Sequence, residues 1–469
     1  MNTWWLDTAE TATKAETATS VTGTSIAPTV LSSNDSDHEW ERRSISSGSG
    51  QRDRMNMNPV AARIQTMSKR DKRLIEWNAN LLQDRLKKVL EQRNQDPVLP
   101  KKVKLQTLNL VTEIAASYNK NHFHNFEHCS HVTMSVSKLL GRVTKDDDNA
   151  LTSKEKDYVN DISSSALTQF AVVLAAIIHD VDHSGVPNAT LVAEKDPLAL
   201  KYGNASVAEN NSIDLAWHMI MKEEYSDFRA CIGTTDDEIE GFHLMLENIV
   251  LATDICDKHL KAARDARWNA VFSESASANP NIDHDRATIV IEHLIQASDV
   301  CHTMQHWKIF RKWNERLFCE MYKAYVDGRS ETNPADSWYK GEISFFDFYV
   351  IPLAKKLQSC GVFGVGSDEY LNYAKENRKE WVAQGQAVVA ELVEKYCDKD
   401  FHPMPKMKKN GDRVLQPIPP VPSSKEYDYD ADINNIAKRV RDRLARDRAQ
   451  KHHGSFEDSF CQDGKIHNN

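Results

Sequence analysis

The sequence predicts an all-α fold: one compact multi-helix domain over about residues 69–398, flanked by two tails expected to be disordered. Three observations predict it. Gly (17) and Pro (15) are scarce in a chain of 469 residues, against averages of roughly 7% and 5%. Helix-favouring Ala, Leu, Lys and Glu are plentiful, and apolar residues in the middle of the chain recur at helical rather than alternating spacing. No period of roughly 20–50 residues repeats, which excludes a solenoid.

In chain order, residues 1–65 are rich in Thr, Ser, Ala, Asn and Asp without apolar periodicity, the pattern of a disordered segment. Leu74, Ile75, Leu82, Leu86, Val89 and Leu90 then trace the apolar stripe of a helix that stops before Pro97. Residues 164–179 are apolar almost all round, which predicts a helix buried in the core. Its last turn delivers His179 and Asp180, and Gly185, Pro187 and Asn188 follow as a turn. Residues 401–469 carry Pro417-Ile-Pro-Pro-Val-Pro422, suited to an extended polyproline stretch, and a charged segment from Asp430 to Gln450 suited to an isolated helix. Neither tail is expected to take part in catalysis.

A net charge of −9 and a pI of about 6.1 leave no electrostatic footprint for nucleic acid. They do not exclude an anionic substrate, because a bound cation would invert the local field. The 8 cysteines are scattered, with no Cys-x-x-Cys pair, as expected of reduced thiols in a cytoplasmic protein. Met1-Asn-Thr-Trp-Trp-Leu-Asp7 lacks the build of a secretory signal. The longest apolar run, Phe170 to Ile178, is too short for a membrane span.

The chemistry concentrates in a few residues. His124 and His128 are four apart, which on a helix would aim both from one face. His179-Asp-Val-Asp-His183 follows the buried apolar helix, where unpaired ionisable groups are costly. Asp299 adds a further carboxylate. Two imidazoles and two carboxylates (His128, His179, Asp180 and Asp299) suit a zinc-like ion. Asp180 has a second oxygen with which to bridge to a magnesium- or manganese-like ion. Two such cations lower the pKa of a water between them and neutralise charge on a phosphoryl group. His124, one turn before His128, is placed to protonate a leaving alkoxide. A metal-dependent hydrolase is therefore the leading reading.

Taken in order, these segments resemble the catalytic domain of the class I 3′,5′-cyclic nucleotide phosphodiesterases, a branch of the His-Asp metal-dependent phosphohydrolases. The resemblance rests on His124-Asn-Phe-Glu-His128, His179 to Asn188, Ser206-Val-Ala-Glu209-Asn210, Leu251-Ala-Thr-Asp254 to His259, Ala297-Ser-Asp299, and Gly341-Glu-Ile-Ser-Phe345-Phe-Asp-Phe. It spans about residues 69–398 and implies a compact all-α domain of that type. It further implies opening of the cyclic phosphate of cAMP or cGMP to the 5′-monophosphate, in cyclic-nucleotide signalling. By position, His128, His179, Asp180 and Asp299 would hold the zinc-like ion and Asp180 would also touch the second. Glu320 matches the acid that pairs with His124. His183, Glu209 and Asp254 would order waters and ligands around the metals. Leu317 and Phe345 would clamp the purine. The resemblance leaves a homodimer open and names no partner for either tail.

Three positions depart from the family pattern. Asn210-Asn211-Ser212 stands where Asn-His-His is usual, so one supporting histidine is absent. His302 stands where many members carry Asn. Glu342 replaces the glutamine that hydrogen-bonds the purine edge. An ionised carboxylate only accepts, so it would favour guanine, whose N1–H and N2 amine are adjacent donors. A protonated one could imitate the amide and admit adenine. Two other readings stay open: a phosphohydrolase or nucleotidase acting on another substrate with the same metals, and a cyclic-nucleotide-binding module with little turnover.

Overall fold

The core is built around a helix that shows no polar face to solvent. This computed structural model describes residues 64–143, 165–272, 282–363 and 367–397. The helices are α1 (Lys69–Gln92), α2 (Lys101–Ser117), α3 (Phe126–Val143), α4 (Ala166–Ile178), α5 (Asn188–Glu194), α6 (Pro197–Lys201), α7 (Val207–Ile220) and α8 (Ser226–Ile232). They continue as α9 (Asp236–Leu251), α10 (Lys258–Phe272), α11 (Ile282–Asp299), α12 (Trp307–Val326), α13 (Trp338–Phe345), α14 (Ile351–Ser359) and α15 (Ser367–Tyr396). Among the described residues there is no strand. The expected disordered tails, the polyproline stretch and the charged C-terminal helix lie outside the described residues, apart from the few residues after Arg63.

Helix α4 is the apolar segment anticipated above. Ser165 caps it, accepting from the Thr168 N–H at 3.2 Å. Every residue from Gln169 to Ile178 is buried. Helices α1, α3 and α9 pack around it, so Phe170, Val172, Val173, Leu174, Ile177 and Ile178 each contribute roughly 1.5–3 kcal/mol of burial. Truncating Leu174 to alanine would cost about 2–5 kcal/mol, because neighbours on all sides prevent collapse of the cavity. The helix ends at Ile178; His179 is its C-cap, and Asp180 lies in the turn just beyond rather than in the last helical turn.

Helix α1 begins with a capping box between Ser68 and Asp71. Its stripe of Leu74, Ile75, Leu82, Leu86, Val89 and Leu90 is buried, as the periodicity requires. The C-terminal helices form the other wall. Fully buried Trp381 of α15 meets Phe310 of α12 at 5.7 Å between ring centroids, and Phe310 meets Phe346 at 5.3 Å. Between α13 and α14 the backbone makes one π-helical turn, Phe346–Val350. Asn377 of α15 donates to the carbonyls of Thr303 (2.8 Å) and Gln305 (2.6 Å), pinning the short turn that follows Asp299. No described helix is long and apolar enough to cross a membrane. No disulfide joins two of the described cysteines.

Candidate active site

The chain enters α3 through a cap, and the cap sets the first two histidines. Asn125 Oδ1 accepts the N–H groups of Glu127 (2.9 Å) and His128 (3.0 Å), so α3 starts at Phe126. His124 therefore precedes the helix, and the expectation that both histidines share one helical face is corrected. They converge because the capping turn folds back, leaving the ring centroids 6.0 Å apart. Glu127 anchors this turn by ion pairs to Arg316 (2.9 Å) and Lys312 (3.2 Å) of α12 and to Arg70 of α1.

His128, His179, Asp180 and Asp299 meet at one point, although they come from α3, the end of α4, the turn after it and the end of α11. His128 Nε2 lies 3.0 Å from Asp299 Oδ1 and 3.7 Å from Asp180 Oδ2. His179 Nε2 lies 3.1 Å from Asp180 Oδ2 and 3.4 Å from Asp299 Oδ1. His179 Nδ1 donates to the Ala176 carbonyl at 3.0 Å, which leaves a lone pair on Nε2 in the neutral ring. That lone pair faces carboxylate oxygens, a repulsive arrangement unless a proton or cation lies among them. His179 Nε2 and Asp180 Oδ2 are buried without a hydrogen-bond partner, and His128, His179 and Asp180 form a group able to hold a metal ion. Burial opposes a charge on His179, but Asp180 overrides it and raises the imidazole well above its ordinary range. Burial likewise opposes the charge of Asp180, and His179 with His124 depresses it nonetheless. The donor set thus demands positive charge at its centre.

Beside this centre lies a second group, His124, His183 and Glu320. His124 Nδ1 is hydrogen-bonded to Glu320 Oε1. Glu320 Oε2 accepts the backbone N–H groups of Phe123 (2.6 Å) and His124 (3.0 Å), so three donors fix the carboxylate. Burial disfavours a charged His124, yet Glu320, Asp180 and Asp299 outweigh it and lift the pKa to about 9. Glu320, despite burial, is pulled down to about 2 by His124 and the backbone N–H of Phe123. His183 lies against His124 with ring centroids 3.9 Å apart and the planes tilted by 33°, and burial with the neighbouring His124 lowers it to about 4.

Glu209 and Asp254 are joined through Asn188, whose amide donates to Glu209 Oε2 (2.8 Å) and lies 3.4 Å from Asp254 Oδ2. Burial and the proximity of Asp254 push Glu209 up to about 8. Ser206 Oγ donates to Asp254 Oδ2 at 2.8 Å, from a residue with φ of 38°. Where the family pattern has histidines, Ser212 Oγ donates to the Val181 carbonyl (2.8 Å) and Asn211 to Asp182 Oδ2 (3.3 Å). The turn that carries His179 and Asp180 is thus supported by other groups.

Leu317 and Phe345 are half-buried, while Glu342 is buried at 8% exposure. Asn314, Leu317 and Glu320 recur at helical spacing on α12, as Trp338, Glu342 and Phe345 do on α13. Trp338 Nε1 donates to Asn314 Oδ1 at 3.2 Å and its ring meets Phe318 edge-on at 5.3 Å, tying the two helices together. Tyr349 stacks against Phe345 at 5.4 Å. His302 is buried against Phe123 at 5.4 Å, and burial holds it well below the ordinary histidine range.

Sequence reasoning missed the residues that hold these groups in place. Asp182, at φ 62°, is gripped by Asn119 (3.0 Å) and Asn211 (3.3 Å). Asn121 holds the His183 carbonyl at 2.7 Å. The signal available was an Asp inside a His-Asp-x-Asp-His run, a residue type that tolerates the left-handed region.

Residues 123–361, about half of the chain, match the family described as 3′5′-cyclic nucleotide phosphodiesterase. The chain belongs to that family. Among its relatives, the bovine dual specificity calcium/calmodulin-dependent 3′,5′-cyclic nucleotide phosphodiesterase 1B is 26% identical over 245 residues, 50% of this chain and 40% of that protein. The mouse 3′,5′-cyclic-AMP phosphodiesterase 4C is 25% identical over 269 residues, 55% of this chain and 36% of that protein. The chain thus spans well under half the length of these relatives. The crystal structure of the phosphodiesterase domain of a RhoPDE fusion protein from the choanoflagellate Salpingoeca rosetta has a TM-score of 0.52 at 23% identity. That likeness covers 70% of this chain and 94% of the domain and places the helical fold of this family on the chain.

Proposed function

We propose that the protein is a 3′,5′-cyclic nucleotide phosphodiesterase that hydrolyses cAMP and cGMP to the 5′-monophosphates. The observation that carries the reading is His179 Nε2 set against two carboxylates, 3.1 Å from Asp180 Oδ2 and 3.4 Å from Asp299 Oδ1, with the His124–Glu320 pair beside it. His128, His179, Asp180 and Asp299 would hold a zinc-like ion, and Asp180 a second, magnesium- or manganese-like one. When bound, such ions lower the pKa of water and neutralise charge on the phosphoryl oxygens.

The chain's own groups account for the rest. Glu320 accepts the Nδ1 proton of His124 and keeps the ring cationic, so Nε2–H is the proton to be given to the departing O3′. Asn125 and Glu127 keep that ring beside the centre. Glu209, Asp254 and His183 surround it with groups that order waters. Leu317 and Phe345 offer apolar surface to the two faces of a purine, and Glu342 addresses its edge.

Glu342 decides between the bases. An ionised carboxylate would select cGMP, but burial pushes this one up to about 8. Near neutral pH it therefore carries a proton, donates through one oxygen and accepts through the other, and admits adenine as well as guanine. Guanine gains as the proton leaves. The relatives named above, one of dual specificity and one a cyclic-AMP phosphodiesterase, are in keeping with a site that takes either base.

The deciding assay follows hydrolysis of cAMP and cGMP in parallel, with and without chelator. Metal-dependent release of 5′-monophosphate is expected from both. Failure of the metal-replete protein to turn over either would overturn the reading.

A further inference from the structure

A cavity of about 130 Å³ opens between α10, α11 and the segment from Phe348 to Lys356. A single water needs about 10–15 Å³, so the space takes a group many times larger. None of the residues assigned above to the metals or the purine lines it. Its charge sets it apart: Lys261, Arg264 and Lys356 face one acid, Asp265. That acid answers Lys356 at 2.5 Å, and the Lys356 ammonium also donates to His293 Nε2 at 3.3 Å. His293 accepts there because its Nδ1 donates to the Ile289 carbonyl at 2.7 Å. Burial and the charges of Lys356 and Arg264 lower this histidine to about 3, so it stays neutral. Arg264 and Lys261 have no such answer: among the described residues no carboxylate lies within ion-pair distance of either. Glu292 is paired with Arg267 at 2.8 Å. Asp257 accepts the backbone N–H groups of His259 (2.8 Å) and Leu260 (3.0 Å), and Asp254 those of Cys256 and Asp257, both at 3.1 Å. Arg264, 6% exposed, reaches only neutral acceptors, the carbonyls of Asp254 (2.7 Å) and Leu251 (3.5 Å). A buried charge without a counter-charge is costly. The Tyr349 hydroxyl, also part of the lining, is buried with no partner.

We propose that this cavity is a second binding site, separate from the metal centre, for a phosphomonoester carrying a small aromatic or apolar group. Two cations without an acid, one of them buried, match a dianion. A phosphomonoester carries a charge of about −1.5 to −2 near pH 7, whereas a carboxylate brings a single charge. A guanidinium and an ammonium suit phosphate oxygens, and the Tyr349 hydroxyl is a third donor in want of an acceptor. Pro352 and Leu353 give the organic group an apolar wall, and Phe348, 73% exposed, gives it an open aromatic face. The inference does not depend on the reaction proposed above, because the two sites share no residue.

The probe is phenyl phosphate, titrated calorimetrically into the metal-replete protein. A Kd below about 1 mM is expected, with phenol and inorganic phosphate each at least about tenfold weaker. Lys261→Ala, at an exposed position, and Tyr349→Phe, which deletes one oxygen atom, should each weaken phenyl phosphate by about tenfold. Asp180→Ala, expected to lose the metals, should still bind it, which separates the cavity from phosphate held on the metal ions. Should Asp180→Ala not fold, unmodified protein treated with chelator takes its place. No binding of phenyl phosphate overturns the inference. So does binding that vanishes with the metals, binding unchanged in both Lys261→Ala and Tyr349→Phe, or phenol binding as tightly as its phosphate.

Discussion

His124 and Glu320 show how a single pair can be poised at the level of residues. The carboxylate takes three hydrogen bonds, two of them from the backbone N–H groups of Phe123 and His124, so it cannot turn away when the imidazole changes charge. His124→Ala is expected to lower kcat by about 10²–10⁴, the usual worth of a general acid, with metal content unchanged. Asp180→Ala should instead lose both metal and turnover; metal analysis beside the hydrolysis assay separates the two. Glu342 makes a prediction about stability. Burial raises its carboxyl from an ordinary 4.5 to about 8, so between those values the folded chain keeps a proton that the unfolded chain releases. Stability must then fall as pH rises through that window. Glu342→Gln removes the titration: its gain in Tm over the unmodified protein should be small below about pH 4.5 and grow up to about pH 8. Parallel thermal melts check it, and a constant difference would contradict the assignment.

Among the elements, α4 was readable because it is apolar on every face, a pattern that has no stable place except inside a core. The same pattern located His179 and Asp180, since a chain leaving a buried helix must place its first polar groups where something satisfies them. The start of α3 was misread for an equally physical reason. Two histidines four apart look helical, yet Asn125 between them is a far better cap than Phe123 or His124, and the helix begins after it. Asn125→Ala should cost about 1 kcal/mol and, by loosening the turn that sets His124 against His128, lower kcat more than KM changes. The π-helical turn Phe346–Val350 left no mark in the periodicity, because one widened turn shifts the phase by a single residue. It brings Tyr349 against Phe345, with the Tyr349 hydroxyl buried and unpartnered. Tyr349→Phe should therefore retain KM for both cyclic nucleotides, while Tyr349→Ala should raise it by unseating Phe345; steady-state kinetics distinguish the two.

At the scale of the whole molecule, the proposed ligand set follows from motif order, while the packing that brings its members together is recorded in no motif. The four groups His128, His179, Asp180 and Asp299 reach one point only because α3 and α11 lie against each other and both touch α4. Holding two imidazoles and two carboxylates together, buried and with His179 Nε2 and Asp180 Oδ2 unpartnered, is costly until a proton or a cation joins them. A ligand that binds only the folded state stabilises it by mass action, about 2.7 kcal/mol at a hundredfold excess over Kd. Metal binding should therefore be visible in global unfolding and not only in turnover. Zinc added to chelator-treated protein should raise Tm by at least a few degrees, since about 1 kcal/mol moves Tm by roughly 2–4 °C in domains of 150–250 residues. Asp299→Asn keeps the shape but removes one negative charge from the centre. It should gain less in Tm than the unmodified protein when zinc is restored. Differential scanning calorimetry of the two proteins with and without zinc makes the comparison, and equal zinc-dependent shifts would show that Asp299 does not face the ion.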